Sequence, residues 1–455
     1  MTYDEDFGGG KSYLNAVLGT SFQASRRAFS SIIGQEFPSD DFVVLAAAAN
    51  ITSASTNRTD WGIASYFFRT NYSYADKFLA TFTVRADGSS RFGRNFRFGY
   101  FPSGSVAYRL SEEAFLQEQN FISDLKIRAS YGVVGNQDGI GNFASRGLFG
   151  INAYRQVPSL LPVQLANDNL TWETTAQWNW GLDFGVMNDR ITLTADYFIK
   201  TTNDLLLNRL IPGISGFRTV TENIGSVQNR GLELGIRGAI INNAQFQWSS
   251  AFNISWIRNE ILALETNDQI ISDSHILSVG HPIGTFFLID HEGVDPETGN
   301  MRWIDENGDG VINSADRRIV GNAQPDFFGG FDNNFSYKGF DLNVFFQFTV
   351  GNQIFNHSRA VYENLGWSRI GTGFPLPDGN NHRLAENRWR NPGDITDIPR
   401  ASLENDNWRE YSSRWLEDGS FLRLRMLTLG YNFRPEIVQR VGARSCVCSY
   451  KAKTF

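Results

Sequence analysis

Residues 85–93 read Arg85-Ala86-Asp87-Gly88-Ser89-Ser90-Arg91-Phe92-Gly93. Phe101-Pro102-Ser103, Leu125-Lys126-Ile127-Arg128-Ala129-Ser130-Tyr131-Gly132 and Gly135-Asn136-Gln137 follow. The third of these pieces carries the fold most openly. Leu125, Ile127, Ala129, Tyr131 and Val133 take the odd positions, while Lys126, Arg128, Ser130 and Gly132 take the even ones. Successive side chains of a strand point to opposite faces, so this segment reads as a strand with one apolar and one polar face. The same period of two surrounds it. Phe78, Ala80, Phe82 and Val84 alternate with Thr81, Thr83 and Arg85. Ile191, Leu193, Ala195, Tyr197 and Ile199 alternate with Thr192, Thr194 and Asp196, and Leu342, Val344, Phe346 and Phe348 with Asp341, Asn343 and Gln347.

Alternation by itself also suits a soluble sandwich that rests one face on its core. Length favours a membrane. Segments 172–187, 191–207, 225–240 and 246–262 exceed the roughly five or six residues of a globular strand. They reach the roughly 9–11 that a tilted strand needs to cross a bilayer. Connections point the same way. Short turns at 73–77, 187–190, 241–245 and 337–340, with a longer one at 111–123, alternate with long connections at 136–169, 207–222, 263–324 and 355–419. Outer-membrane barrels join their strands in this manner, with short periplasmic turns and long extracellular loops. Counted so, about twelve membrane strands lie between Lys11 and Phe433.

Composition agrees. The 455 residues include 37 Phe, 15 Tyr and 11 Trp, with only 13 Pro and 4 Met, so the chain is aromatic and rich in potential strand. Mean hydropathy is nevertheless −0.29, because polar residues interleave. A membrane helix needs about 20 consecutive apolar residues. The longest apolar run, 42–49, falls well short and suggests a short Ala-rich helix in a loop. The net charge of −7 is spread along the chain, with no basic cluster among the aromatics, so nucleic acid is not an expected partner. Cys446 and Cys448 are the only cysteines, one residue apart, which is poor spacing for an intrachain disulfide. Residues 1–6 carry no basic or apolar signal-peptide pattern, so the chain is expected to be the later part of a longer product.

Taken in order and at these separations, the quoted pieces resemble the SusC/RagA family of TonB-dependent outer-membrane transporters. Residues 388–401 (RWRNPGDITDIPRA) and 414–431 (RWLEDGSFLRLRMLTLGY) extend the likeness over most of 60–433. The resemblance implies an all-β, antiparallel transmembrane barrel of about 22 strands, of which this chain would supply part as an open sheet. It implies location in the outer membrane and import of a glycan or oligopeptide. A SusD-like surface lipoprotein would act as lid, and TonB would pull on a plug that this chain lacks. The expected organisation is a partial barrel over 1–433, a long extracellular loop at 263–324 and an aberrant tail at 434–455. Period two vanishes in that tail, as a frameshift or truncation would cause; a divergent last strand is the alternative. Two other classes compete: a siderophore-type receptor, and a secreted Ca²⁺-binding adhesion or cellulosomal protein.

One motif carries possible metal chemistry. Residues 305–316 read DENGDGVINSAD. Asp305, Asn307 and Asp309 fill positions one, three and five of an EF-hand-like loop. Val311 would offer its carbonyl at seven, Gly310 stands at six, and Asp316 stands at twelve in place of Glu. Ca²⁺ is the expected ion, and its role would be to stiffen a loop; a metal-free Asx-rich turn is the alternative. No catalytic site is expected. His275, His281, His291, His357 and His382 lack metal-ligand spacing, and neither a GxSxG motif nor a phosphate loop occurs. Trp367, Trp389, Trp408 and Trp415, with Phe149 and Tyr154, either stack on cargo or pack the long loops.

Overall fold

A computed structural model describes every residue except 43, 155–156, 265–268, 364–382, 403–406, 434–445 and 454–455; the side chains of 152–154, 210, 361 and 362 also lie outside the description. Fourteen strands form the main sheet: β1 (Thr2–Phe7), β2 (Ser12–Gln35), β3 (Asn50–Tyr74), β4 (Phe78–Ser89), β5 (Phe98–Arg109), β6 (Ile122–Asn136), β7 (Glu173–Val186), β8 (Ile191–Asn203), β9 (Ser226–Asn242), β10 (Phe246–Ala263), β11 (Phe327–Tyr337), β12 (Phe340–Val350), β13 (Phe421–Asn432) and β14 (Val447–Lys453). They hydrogen-bond in simple chain order, each beside its successor. Twelve of them, all but the first and last, fall inside the span where about twelve are expected.

Turn chemistry explains the meander. The expected short connections are all present, and three of them hold left-handed backbone: Ala75 and Asp76, Met187 to Asp189, and Lys338 before Gly339. The Lys338-Gly339 pair joins β11 to β12 through two residues, both at positive φ, the geometry whose twist matches paired strands.

The chain divides into two compact units. One comprises Met1–Glu113, Ile127–Trp180 and Lys200–Ser226. Here register sets β1 to β5 side by side. Ser12, Tyr74, Phe78 and Tyr108 form one row across four strands, and Phe22, Ala64, Gly88 and Phe98 another. Between these rows one face carries Leu18, Phe68, Phe82 and Val106, all exposed although apolar. Ten residues separate the rows along β3, a rise of about 33 Å. Strand tilt of about 40° reduces this to about 25 Å, the height of the apolar band of an outer-membrane barrel. Aromatics edge the band at both ends. Phe78 stacks on Tyr108 at 4.4 Å beside the short turn, and Phe22 meets Tyr66 edge-on at 6.4 Å at the other end.

The opposite face of the same strands is polar and hydrogen-bonded sideways. Asn15 and Tyr13 donate to Asp4, Asn71 donates to Asn15, and Thr81 donates to Asn71, linking four strands at 2.7–3.0 Å. Arg85 donates to Asp87 at 2.6 Å and to Ser65 at 2.8 Å.

The other unit comprises Ala114–Lys126, Gly181–Ile199 and Val227–Phe455. Its strands repeat the two-faced pattern. Lys126 pairs with Asp183 at 2.7 Å, and Asn343 donates to Asp332 and Asn334. On the other parity, Leu422, Leu424, Leu427 and Leu429 of β13 are exposed. A one-residue bulge at Arg425 keeps all four on one side.

Several features differ from the sequence reading. Among the described residues of 42–49, a single 3₁₀ turn forms, Leu45–Ala47. β2 and β3, of 24 and 25 residues, are the longest strands, and their Ser-, Thr- and Asn-rich outer halves carry little hydrophobic alternation to announce them. Within the tail, residues 447–453 form β14 on the edge of β13, with every residue exposed.

Candidate functional site

The motif RADGSSRFG forms a buried knot where β4 meets the long connections. Phe92, Phe101, Leu170 and Trp172 are its core. Trp172 lies 4.7 Å from Phe92 and 5.3 Å from Phe101, and its Nε1 donates to the Arg97 carbonyl at 3.0 Å. Arg91 stacks on Trp61 at 5.1 Å and donates to Asp138 and the Gln137 carbonyl, while Ser89 donates to Gln137. Two glycines allow this closeness. A Cβ on Gly93 would stand 1.8 Å from the Asp168 carbonyl oxygen, and one on Gly135 would stand 2.1 Å from the Phe101 ring. The signature residues thus anchor the loops that follow the strands; their demand is packing, not chemistry.

The long connection 263–324 folds into a module of its own. Gln269–Ile271, His275–Ser278, Thr285–Ile289 and Arg317–Asn322 lie side by side in that order in a small sheet, and His291–Val294 pairs with Met301–Trp303. The acidic turn sits between these strands. Asp305 accepts from the N–H groups of Gly308 and Gly310, both at 2.8 Å. Asn307 accepts from the Asp309 N–H, and Asp309 from the Val311 N–H. Asp316 is buried and caps the 3₁₀ turn Ser314–Asp316, accepting from the N–H groups of Asn313 and Glu306. The Asn313 N–H, with those of Asn307 and Glu306, holds the Asp316 carboxyl below the usual range against the effect of burial, and the Asp305 carboxyl reaches it as well.

Oxygens of Asp305, Asn307, Asp309 and Val311 therefore share one turn, whereas Asp316 spends both its oxygens on backbone. Their chemistry suits a hard cation. Among the described residues, however, no three His, Cys, Asp or Glu groups converge as a metal cluster.

A polar hub invisible in sequence spacing binds this module to the segment 407–418. Asp290 accepts from Ser413, Arg318 and the His291 N–H; Ser413 also meets His291 Nδ1 at 2.7 Å. Burial works against the charged Asp290, yet the donors outweigh it and hold its carboxyl low. Burial likewise pushes His291 down, against the pull of Asp290.

Next to this hub, Glu363 is fully buried between Arg359 at 2.7 Å and Arg414 at 3.4 Å. Arg414 lies over both Trp408 and Trp415, at 5.6 and 5.0 Å. Trp408 and Trp415 are buried with Ala360 and Ile398, so they pack the loops and offer no stacking surface. Trp389 lies against Gly299 and donates to the Pro296 carbonyl. Phe149 is exposed. Trp367, His382 and the side chain of Tyr154 lie outside the described residues. The remaining histidines are dispersed: His275 packs on Phe286 and His357 meets Glu410 at 2.8 Å.

Comparison with known proteins follows the same lines. The family described as TonB dependent receptor-like, beta-barrel matches residues 2–356. TonB-dependent receptor P3 of Formosa agariphila is 32% identical over 98% of this chain and 46% of its own length. TonB-dependent receptor SusC of Bacteroides thetaiotaomicron is 32% identical over 86% of this chain and 40% of its own. Among solved structures, that of the RagAB peptide transporter superposes with a TM-score of 0.86 at 28% identity, covering all of this chain and 51% of the matched one. The chain spans about half the length of the curated relatives it matches.

Proposed function

The chain belongs to the TonB-dependent receptor β-barrel family and is a stretch of outer-membrane barrel wall with its long connections; from that premise we propose that these connections face the cell exterior and that the whole protein imports a glycan or oligopeptide. The observation that carries this reading is the two-faced sheet. An apolar band edged by aromatics faces lipid, and a polar face of amides, hydroxyls and paired charges offers a wall that a hydrated solute can pass. The likeness to SusC and to the RagAB peptide transporter supports the cargo class. It also supports a SusD-like lipoprotein as lid and TonB as the source of force. Transport, not catalysis, is the activity that the relatives' names support.

Deleting the gene tests this. Growth on a glycan or peptide pool should fail, return with the full-length gene, and require TonB; full-length tagged protein should bring down a surface lipoprotein from detergent. Undiminished growth on every such pool would overturn the reading.

Ca²⁺ at residues 305–316 belongs to the same proposal. Asp305, Asn307, Asp309 and the Val311 carbonyl would hold it, with Asp316 shaping the turn. When bound, the ion would neutralise carboxylates that otherwise repel one another. Calorimetry on the full-length protein should show one site that Asp305→Ala with Asp309→Ala removes; equal binding by both would make the motif a plain turn.

A further inference from the structure

The lipid-facing wall of the unit that begins at Met1 is not level. A groove of about 360 Å³ opens across β3 to β7, walled by Phe82, Val106, Tyr131 and Trp178 and floored by Ala80, Gly104 and Ala129. That volume lies within the roughly 300–1,000 Å³ of small-molecule sites. The strands concerned lie inside the sheet, each with a neighbour on both sides. Among the described residues, no charged side chain lines the groove. Gly104 makes the depression. Phe82 stands directly opposite it, and Val106 stands two residues on, on the same face. Both are exposed, as is Tyr131, 4.5 Å from Trp178. A Cβ on Gly104 would have one heavy atom within 4 Å, the Thr81 carbonyl oxygen at 3.7 Å. The backbone there is strand, and the register with β4 runs through it unbroken. Packing therefore does not demand this glycine, in contrast to Gly93 and Gly135. A glycine inside a strand, with no bulge beside it, marks a place that something else approaches closely.

We propose that this groove holds one acyl chain of a phospholipid in the periplasm-facing leaflet. It continues the band of exposed apolar residues that faces lipid, so hydrocarbon is what meets it. Its level selects the leaflet. Ala80 and Phe82 stand two and four residues from Phe78, which stacks on Tyr108 at the short-turn edge of the band. They lie about 7 and 13 Å along the strand, or about 5 and 10 Å in height at barrel tilt. The apolar band is about 25 Å tall, so the groove lies in its short-turn half. Its chemistry selects the chain rather than the headgroup. Without charges the groove reads shape alone. A methylene chain laid over Gly104 gains dispersion contacts with the Phe82 and Tyr131 rings and with the bare backbone. This inference rests on the outward direction of the long connections, proposed above, and not on the cargo.

The test extracts full-length protein from its own outer membrane in mild detergent and reads bound lipid by native mass spectrometry. Wild type should retain one lipid of phospholipid mass. Gly104→Leu fills the groove with an apolar side chain that a lipid-facing position tolerates, and should lose that lipid. Leu18→Phe adds bulk to the same exposed face outside the groove and should keep it. Heat-modifiable migration verifies that each variant assembles. Should Gly104→Leu not assemble, Ala129→Leu fills the same groove from the next strand and is read in its place. The proposal fails if Gly104→Leu retains the phospholipid, if Leu18→Phe sheds it equally, or if wild type carries none. A wild-type dimer that Gly104→Leu splits, with no change in lipid, would give the groove to a second copy and overturn the proposal. A retained lipid of lipid A mass would place the groove in the outer leaflet, and would overturn both this inference and the outward direction of the long connections. Lipid retained by Gly104→Leu, with uptake intact, would overturn this inference alone and leave the transport reading standing.

Discussion

Trp172→Ala should be among the most damaging single changes in the wall, although Trp172 is no part of the quoted motif. The indole is 4% exposed and fills the space between Phe92 and Phe101. Truncating a buried Trp to Ala destabilises by about 3–5 kcal/mol through lost burial and the cavity left behind. Its Nε1 also serves the Arg97 carbonyl, and stranding a buried acceptor adds about 1 kcal/mol or more. The expected total is about 4–6 kcal/mol. Trp172→Phe keeps most of the ring contact and loses the hydrogen bond, so about 1–2 kcal/mol is expected. Trp178 is the contrast. It lies half-exposed on the outer face beside Tyr131 and Trp180, and Trp178→Ala should stay below about 1 kcal/mol. Urea unfolding of the full-length protein in lipid vesicles, followed by heat-modifiable migration, gives all three values. If Trp178→Ala destabilises as much as Trp172→Ala, the knot is not the site of packing that the structure indicates.

Ile127 is half-exposed on the outer face, while Lys126 pairs inward with Asp183, so Ile127→Arg should impair assembly by about 2–4 kcal/mol if near the midplane, and Arg128→Ile less; the opposite ranking in a refolding assay would reverse the faces. Glu363→Gln leaves Arg359 and Arg414 without their buried anion, at about 3–5 kcal/mol, and limited proteolysis should cut the 383–418 loops sooner while the barrel survives; unchanged cleavage would refute the role of the triad. The loop module should also weaken in acid. His275 and His291 have folded pKa values below the ordinary 6.5, so the unfolded state binds more protons and stability declines as pH falls below about 6.5. Asp290 and Asp316, held low, add a further loss as pH falls below about 4. Amide exchange in the loops of the full-length protein should accelerate between pH 7.5 and 5.5, and His291→Asn should flatten that change; a flat wild-type profile would contradict the burial of these rings.

Alternation and turn residues determined the wall without help from the fold. A strand's side-chain period is two, so Leu125 to Val133 shows its faces in any context. Pairs such as Asn188-Asp189 and Lys338-Gly339 adopt left-handed backbone for local reasons, and so the order of strands follows from the chain alone. The signature around Arg85–Gly93 was legible as a pattern, yet its reason was not, because Phe92, Phe101, Gly135, Leu170 and Trp172 meet only after the strands have paired. The Asp290–Ser413 and Glu363–Arg414 contacts span 123 and 51 residues and have no spacing to read. Whether Trp408 and Trp415 were exposed or buried was equally undecided, since a tryptophan in a loop suits either. The long ribbon of β2 and β3 was missed because neither face of its outer half is packed, so selection for a core left no apolar period in it. What a residue does by its own backbone and polarity is written in the sequence; what it does through a distant neighbour exists only once loop closure has brought the two together.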